Sequence, residues 1–525
     1  MFHRLTYKIL LIVLLHLFGI NLLFSQNTPR KINFRANTLE YDEYFMPGVD
    51  RFIGNVVFSH EQTIGYCDSA HFNKDRNYME GFGERIKIVI NDSTFLYGKF
   101  LTYDADRKLI TISKNVILKD SKSVLYTDSL VYRTDTEVGY YITGGKMLSK
   151  DNVITSVVGH YYTPLNKIVL KKNVRLKSNQ YNMECDSLTY NTKEETAYFI
   201  SRTKLVSNEN TIYTLSGWYN TTKDIALLVD SVELFNKTQH LSGDSIFYDR
   251  NLRFGIGYQN VIIVDTAKGY IVKGDYIEHH ELGGTSVVTD SSLLILIEEK
   301  RDSLFLHADT LKLFFDSLQE PQLIQTYNHV KFYRDDIQGV CDSLVFFVQD
   351  STLIMYHNPV LWSGENQLSA DTIRFFMLDS SHIKVQLLKS SFIASSVFEE
   401  KEFNQIKGLT IIGYIFEKEL TKVNVIGNAE CLYFILEEDS SLIGINSSAT
   451  SEMTILFENN EVSSITFFNS PDGLLYPDKQ LEQPDRLLKD FAWLVNYRAL
   501  TPTDIFHTPI PRYKVLPPKD KYKSD

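Results

Sequence analysis

The chain has 525 residues, 13% of them aromatic and 23% charged, with a formal net charge of -11. A chain this long holds two to four domains unless it is a repeat array, which runs on without a boundary. The acidic balance argues against a nucleic-acid-binding surface, which needs a basic face, and a polyanionic ligand would have to be held mainly by its apolar part.

The first residues, MFHRLTYK, supply positive charge. ILLIVLLHLFGINLLF follows as an apolar run, and Ser25-Gln26 offers a small residue for cleavage. This predicts an export signal over residues 1–26. The run is short for a spanning helix, about 16 residues, and an uncleaved inner-membrane anchor stands as the alternative. No Cys lies near the cleavage point, which argues against a lipoprotein anchor.

From residue 35 onward one motif recurs: a small residue, Asp, Ser or Thr, Leu or Ile, any residue, then an aromatic. MECDSLTYN at 183–191 is typical, with close copies at 125–133, 241–249, 306–314, 339–347 and 368–376. Anchored at Asn37, Asp68, Lys99, Asp128, Gly159, Asp186, Gly217, Asp244, Asp275, Asp309, Asp342 and Asp371, the copies step by 31, 31, 29, 31, 27, 31, 27, 31, 34, 33 and 29 residues. A near-constant period means a repeat architecture in which each unit buries its apolar face against its neighbours. Between the copies falls a second motif, Asn or a stand-in followed by Val, any residue and an apolar residue: GNVVFS at Gly54, KNVILKD at Lys114, KNVRLKS at Lys172 and NHVKFYR at Asn328.

Both segments alternate apolar and polar residues and are rich in Val, Ile, Tyr, Phe and Thr, which predicts strands. The fold class expected is all-β, an elongated repeat built from pairs of bent antiparallel strands. The steps lengthen around ELGGTSVVTDSS, so a break is expected there, with one slab over 27–280 and a second over 281–470. Over 471–525 the pattern changes. Leu487, Leu488, Phe491, Leu494 and Val495 after Pro484 have helical spacing and predict a short C-terminal capping helix of about 15 residues, followed by a disordered Pro- and charge-rich tail.

No catalytic residue and no metal or cofactor site is expected. The motif Asp recurs in most repeats and is replaced by Asn, Lys or Gly in others, whereas catalysis needs one or two carboxylates with tuned, unequal pKa values. Its natural role is to satisfy backbone groups where strands bend, and the Asn of the second motif suits a turn that tolerates left-handed geometry. His279, His280 and Glu281 form the densest candidate metal cluster, but adjacent residues on a strand point to opposite faces. Cys67, Cys185 and Cys341 occupy equivalent places in different repeats. Cys67 and Cys185 are four repeats apart, too far for a disulfide, so free buried thiols are expected.

The apolar positions carry the functional reading. Leu130 and Tyr132, Leu188 and Tyr190, Ile246 and Tyr248 stack in register in one segment. Val56 and Phe58, Val116 and Leu118, Val174 and Leu176 do so in the other. If the strands close tightly, these rows are core. If each strand bends into a V, they face each other across an apolar trough, and the sequence leaves both readings open.

The alternation of GNV-type with [AG]D-S/T-[LI]-x-[YF] segments resembles the OstA/LptA family of lipopolysaccharide-transport proteins. GNAECLYFILEEDSSLIGIN, ITFFNSPDGLLYP and LLKDFAWLVNYRAL resemble the C-terminal part of large OstA-like proteins of Bacteroidetes type. The resemblance implies a β-jellyroll or V-shaped antiparallel slab in the periplasm. It implies that the listed rows form a groove shielding the acyl chains of lipopolysaccharide (lipid A). It also implies partners among inner- and outer-membrane transport components with OstA-like domains, and end-to-end self-association. The long outer-membrane barrel of the family's translocon is missing. The alternative is a β-solenoid scaffold of the cell envelope that binds no lipid.

Overall fold

The computed structural model describes residues 31–507 and 509, apart from 91–92, 298–301, 380, 399, 418, 438–440, 459–460, 478–479 and 482. The expected export signal and the expected disordered tail lie outside the described residues. Among the described residues no helix is long and apolar enough to cross a membrane.

The architecture is all-β and antiparallel. Each long strand pairs with the next through a short turn, as in Val49–His60 with Thr63–Asn73, Tyr78–Ile90 with Thr94–Asp104, and Leu109–Lys119 with Ser123–Arg133. Eight of the described long strands are also bent near the middle. The bend falls on the second motif, where two consecutive residues take left-handed backbone: Gly54-Asn55, Lys114-Asn115, Lys172-Asn173, Asp230-Ser231, Gln259-Asn260, Asn328-His329, Lys389-Ser390 and Gly427-Asn428. The ladder breaks at the same places, for example between Ser113 and Val116 and between Tyr327 and Val330. An extra unpaired residue in one strand bends and twists it, which is what a β-bulge does. Asn tolerates this geometry; Lys or Gln beside it does so at a strain of about 1–3 kcal/mol, which the flanking ladders must hold.

The doublets, with the register shifts in the ladders, divide the sheet into two arms. The first arm contains Val56–His60 and its partners; the second contains Ser69–Asn73 and its partners. The motif Asp sits at the outside of the corner and binds backbone or neighbouring side chains there. Asp68 Oδ2 accepts from the Glu84 N–H at 2.9 Å, and Asp275 Oδ1 from the Asn260 N–H at 3.1 Å. The repeated carboxylate is therefore corner chemistry, as its recurrence suggested.

The chain forms two compact units. Unit 1 is Met1–Ser207 with Trp218–Thr222, and unit 2 is Asn208–Gly217 with Lys223–Asp525. The stretch 281–292, where a break was expected, lies inside unit 2. There Tyr270–His280 pairs continuously with Thr285–Thr289 and Leu293–Leu296.

The expected C-terminal helix is corrected by the structure. Over residues 480–507 the only helical pieces described are 3-10 turns at Gln483–Arg486, Val495–Tyr497 and Asp504–Phe506. The segment is a strap laid over the outer face of the first arm of unit 2. Leu481 and Leu488 pack with Leu432, Phe434 and Ile445. Phe491 stacks on Phe403 at 5.0 Å, and Trp493 on the same ring at 4.9 Å. Leu494 and Tyr497 cover Val340, Val360 and Trp362, while Ala499 and Ile505 cover Leu293 and Ile295. The strap thus crosses about ten neighbouring strand segments, roughly 40 Å at ~4.8 Å per strand. A 15-residue helix spans only ~22 Å. The apolar residues meet successive repeats instead of one helix face, and Asp490, at φ +73°, interrupts any helix there.

Three glutamines, one on every second strand, hold the strap. Gln405 Nε2 donates to Arg486 O at 2.8 Å, and its Oε1 accepts from the Leu488 N–H at 2.8 Å. Gln367 does the same with Ala492 O and the Leu494 N–H, both at 2.7 Å. Gln338 Oε1 accepts from Arg498 Nε at 2.8 Å. A primary amide matches a peptide group donor for acceptor, so these side chains replace the ladder that an extended strap crossing the strands cannot make. Arg486 and Glu402, both largely buried, add an ion pair at 2.7 Å.

Candidate functional site

The two arms enclose an interior lined by alternate residues of every strand. All twelve residues of the expected groove face it. In the first arm Val56 pairs with Cys67, Leu118 with Leu125, Val174 with Cys185 and Leu176 with Met183. In the second arm Leu130 pairs with Ile112, Tyr132 with Ile110, Leu188 with Leu170 and Tyr190 with Ile168. Phe58 and Val116 lie in the same first-arm row. Except for Tyr248, which is half-buried, all twelve are buried, Ile246 least completely at 9% exposure. The two arms meet in unit 1. A Cβ added at Gly139 in the second arm would lie 3.1 Å from the Tyr132 ring and 3.7 Å from Leu118 of the first arm.

Unit 1 is also latched across its mouth, where the ends of the two arms approach. Tyr103, Tyr132, Tyr161 and Tyr190 are fully buried and recur every 29 residues at the end of the second arm. Burial pushes the Tyr132 hydroxyl up to about 12 and raises those of Tyr103 and Tyr190. Three of them reach buried polar residues at the end of the first arm. Tyr103 Oη and His60 Nδ1 lie 2.5 Å apart, Tyr161 Oη bonds Ser123 Oγ at 3.1 Å as well as Asp120, and Asn152 Nδ2 donates to Tyr190 Oη at 3.2 Å. Tyr132 bonds Thr163 of its own arm at 3.3 Å. As described, the interior of unit 1 is a packed core with a polar seam.

Unit 2 has the same interior rows with other residues at most places of the latch tyrosine. Its core runs from Val261 to Ile455 and is flanked by partly buried apolar side chains at the ends of both arms. Ile263, Leu296, Leu304, Ile337, Leu368 and Ile393 lie on the first arm; Phe346, Leu353, Phe375, Ile383, Ile415 and Leu420 lie on the second. The place of the latch tyrosine is taken by His279, Leu313, Phe346 and Phe375, following the register from Tyr248 onward. The mouth of unit 2 is thus an apolar rim that water reaches.

The densest candidate metal cluster disperses. His279 turns inward, bonds Ser286 Oγ at 2.8 Å and has its pKa lowered by burial. His280 is exposed and bonds Glu278 at 2.6 Å. The four cysteines are free. Burial pushes the Cys67 and Cys431 thiols up to about 12 and Cys185 to about 11, which makes them poor nucleophiles. Trp362 is fully buried beneath the strap. The strap glutamines were missed in the sequence. Their signal was an uncharged polar residue at an outward strand position, four residues before the motif Asp at Gln338 and Gln367.

A family model described as OstA-like protein matches residues 31–186 and 165–244. Residues 31–244 are therefore similar to the OstA-like family. The corner doublets and register shifts that define the OstA-like part continue to Gly427-Asn428, so the repeat does not stop where the match does. Among solved structures, one similar chain is LptH from Pseudomonas aeruginosa, described as the LptA homologous periplasmic component of the conserved lipopolysaccharide transport device. It is 18% identical, the alignment covers 21% of this chain and 80% of that one, and the TM-score is 0.19. No curated protein matches the chain.

Proposed function

We propose that this OstA-like chain is a non-catalytic periplasmic carrier that shields the acyl chains of lipopolysaccharide, and that the interior of unit 2 takes them. The observation that carries the reading is the half-buried apolar rim on both arms of unit 2, above a continuous apolar core. Similarity to the OstA-like family supports the substrate class. Acyl chains gain by leaving water, while phosphates and sugars stay outside, since burying them in a chain of net charge -11 would be costly. Partners with OstA-like domains at either membrane would pair with the outermost strands. These are Asn33–Arg35 and Thr38–Tyr41, with Leu39 and Tyr41 exposed, at one end, and Glu461–Phe468 and Asp472–Tyr476, with Leu474 and Leu475 exposed, at the other. A photo-crosslinking residue at Phe346, Phe375 or Leu368 should capture lipopolysaccharide in cells, and one at the outward Lys312 should not. Capture at none of the interior sites, or equal capture at Lys312, would sink the reading.

A second reading, a scaffold with a closed core, is favoured by the latch of unit 1. It predicts no capture anywhere, and folding defects from polar substitution at Val116 or Val174 with no separate transport defect.

A further inference from the structure

In unit 2 the outer face of the first arm is covered by the strap; in unit 1 no described segment is laid over the corresponding face. The register gives its two rows. One runs Tyr66, Lys87, Tyr97, Ile117, Tyr126, Lys146, Thr155, Arg175, Glu184, Lys204. The other runs Ile64, Val89, Phe95, Lys119, Val124, Leu148, Val153, Lys177 along the same strands. Tyr66 is 43% exposed, Tyr126 41% and Ile64 39%.

Two features separate this face from its counterpart under the strap. The first is charge. In a chain of net charge -11, these rows carry Lys87, Lys119, Lys146, Arg175, Lys177 and Lys204 against one acid, Glu184. Other acids of the unit lie at the corner, as Asp68, Asp128 and Asp186 do, in turns, as Asp120 and Asp151 do, or on the second arm, as Glu40, Asp50, Glu80 and Asp104 do. The cations are interleaved with rings: Lys87 lies 5.9 Å from the Tyr66 ring and 5.4 Å from Phe95, and Arg85 lies 4.9 Å from Tyr97. The second is the loss of the amides. The positions four residues before the motif anchor, Gln338 and Gln367 in unit 2, are Asn33, Ile64, Phe95, Val124, Thr155 and Asn182 in unit 1. Apolar residues hold the middle of the row, so the glutamines that bond the strap in unit 2 have no counterpart from Ile64 to Val124.

We infer that the outer face of the first arm of unit 1 docks on the surface of an anionic lipid bilayer. Tyrosines and partly exposed aliphatic side chains suit the interfacial layer, where an apolar body and a polar tip are both accommodated. The long basic side chains lay their stems on the apolar row and their heads at the lipid phosphates. Each Lys or Arg near an anionic leaflet contributes roughly fivefold in partitioning at low salt. This inference does not rest on the carrier reading, because the face is outside the interior.

The test is flotation of the full chain with vesicles of phosphatidylglycerol and phosphatidylcholine against vesicles of phosphatidylcholine alone, at low and high salt. The expected result is binding to the anionic vesicles only, weakened by salt. The variant K87Q/K146Q/R175Q should lose on the order of a hundredfold. R133Q/K167Q/K193Q, which removes the same charge from the second-arm side of the unit, should bind as the wild type does. Thermal midpoints of both variants establish that each is folded. No binding to anionic vesicles, equal binding to neutral ones, or an equal loss in both variants would overturn the inference. So would a concentration-dependent doubling of mass abolished by K87Q/K146Q/R175Q, which would assign the face to a second copy.

Discussion

Units 1 and 2 are built from the same bent hairpin, yet they treat the two sides of the sheet in opposite ways. Unit 1 seals its interior with buried tyrosines, and no described segment is laid over the outer face of its first arm. Unit 2 leaves its interior rimmed by half-buried apolar side chains and covers the outer face with its own C-terminal strap. One repeat can therefore place its accessible apolar surface inside or outside, and a handful of residues at the arm ends decides which. Tyrosine with a polar partner closes the mouth, and phenylalanine or leucine in its place leaves a surface that still seeks cover.

The contrast can be broken most forcefully at the strap. Ending the chain after Gln480 uncovers Val340, Val360, Trp362, Leu432 and Phe434, each a large side chain worth about 1.5–3 kcal/mol of burial. Hydrogen exchange read by mass spectrometry should show unit 2 losing protection across residues 293–445 while unit 1 keeps its own. Unchanged exchange in unit 2 would show that the strap contributes nothing to its stability.

The interiors can be compared directly. Leu130→Ala in the closed core should cost about 2–5 kcal/mol. Phe346→Ala on the rim should cost less, because part of that ring is already in water. Denaturant midpoints of the two variants check this, and equal losses would mean that the rim is as tightly packed as the core.

Alkaline titration gives the smallest effect and sharpens the role of the latch. Tyr103, Tyr132, Tyr141 and Tyr190 have their pKa raised by burial above the ordinary value near 10. The folded state therefore holds protons that the unfolded chain releases. Their contribution is complete below about pH 10 and is lost as pH rises toward the raised values. Unit 2 has one tyrosine raised mainly by deep burial, Tyr270, pushed up to about 12. Tyr276 is pushed up to about 12 by its bond to Glu278, and the half-buried Tyr333 is raised by its partial burial. Unit 1 should accordingly lose exchange protection first between pH 10 and 12. Unit 2 failing first would remove the tyrosines as the source of the closure.

The repeat, its strands and the inward rows were legible because period-two alternation and a constant step are local signals. The corner was half legible. Asn115 and Asn173 announced left-handed backbone, but Lys114 and Lys172 beside them did not, since only the surrounding ladders force lysine there. The latch was written in the spacing of Tyr103, Tyr132, Tyr161 and Tyr190. Its meaning needed the partners His60, Ser123 and Asn152, which a bend brings near from distant positions. The strap was misread because Leu488, Phe491 and Leu494 have helical spacing. What decides between helix and strap lies well over a hundred residues away, in Gln367 and Trp362.

The paired left-handed residues at each corner have one more implication. Every hairpin carries its own fold line and passes nothing on to the next except an edge to pair with. A whole hairpin could be duplicated or lost in a lineage without re-tuning the rest, so the number of hairpins is a free variable, and relatives of this chain should differ in size by multiples of about thirty residues.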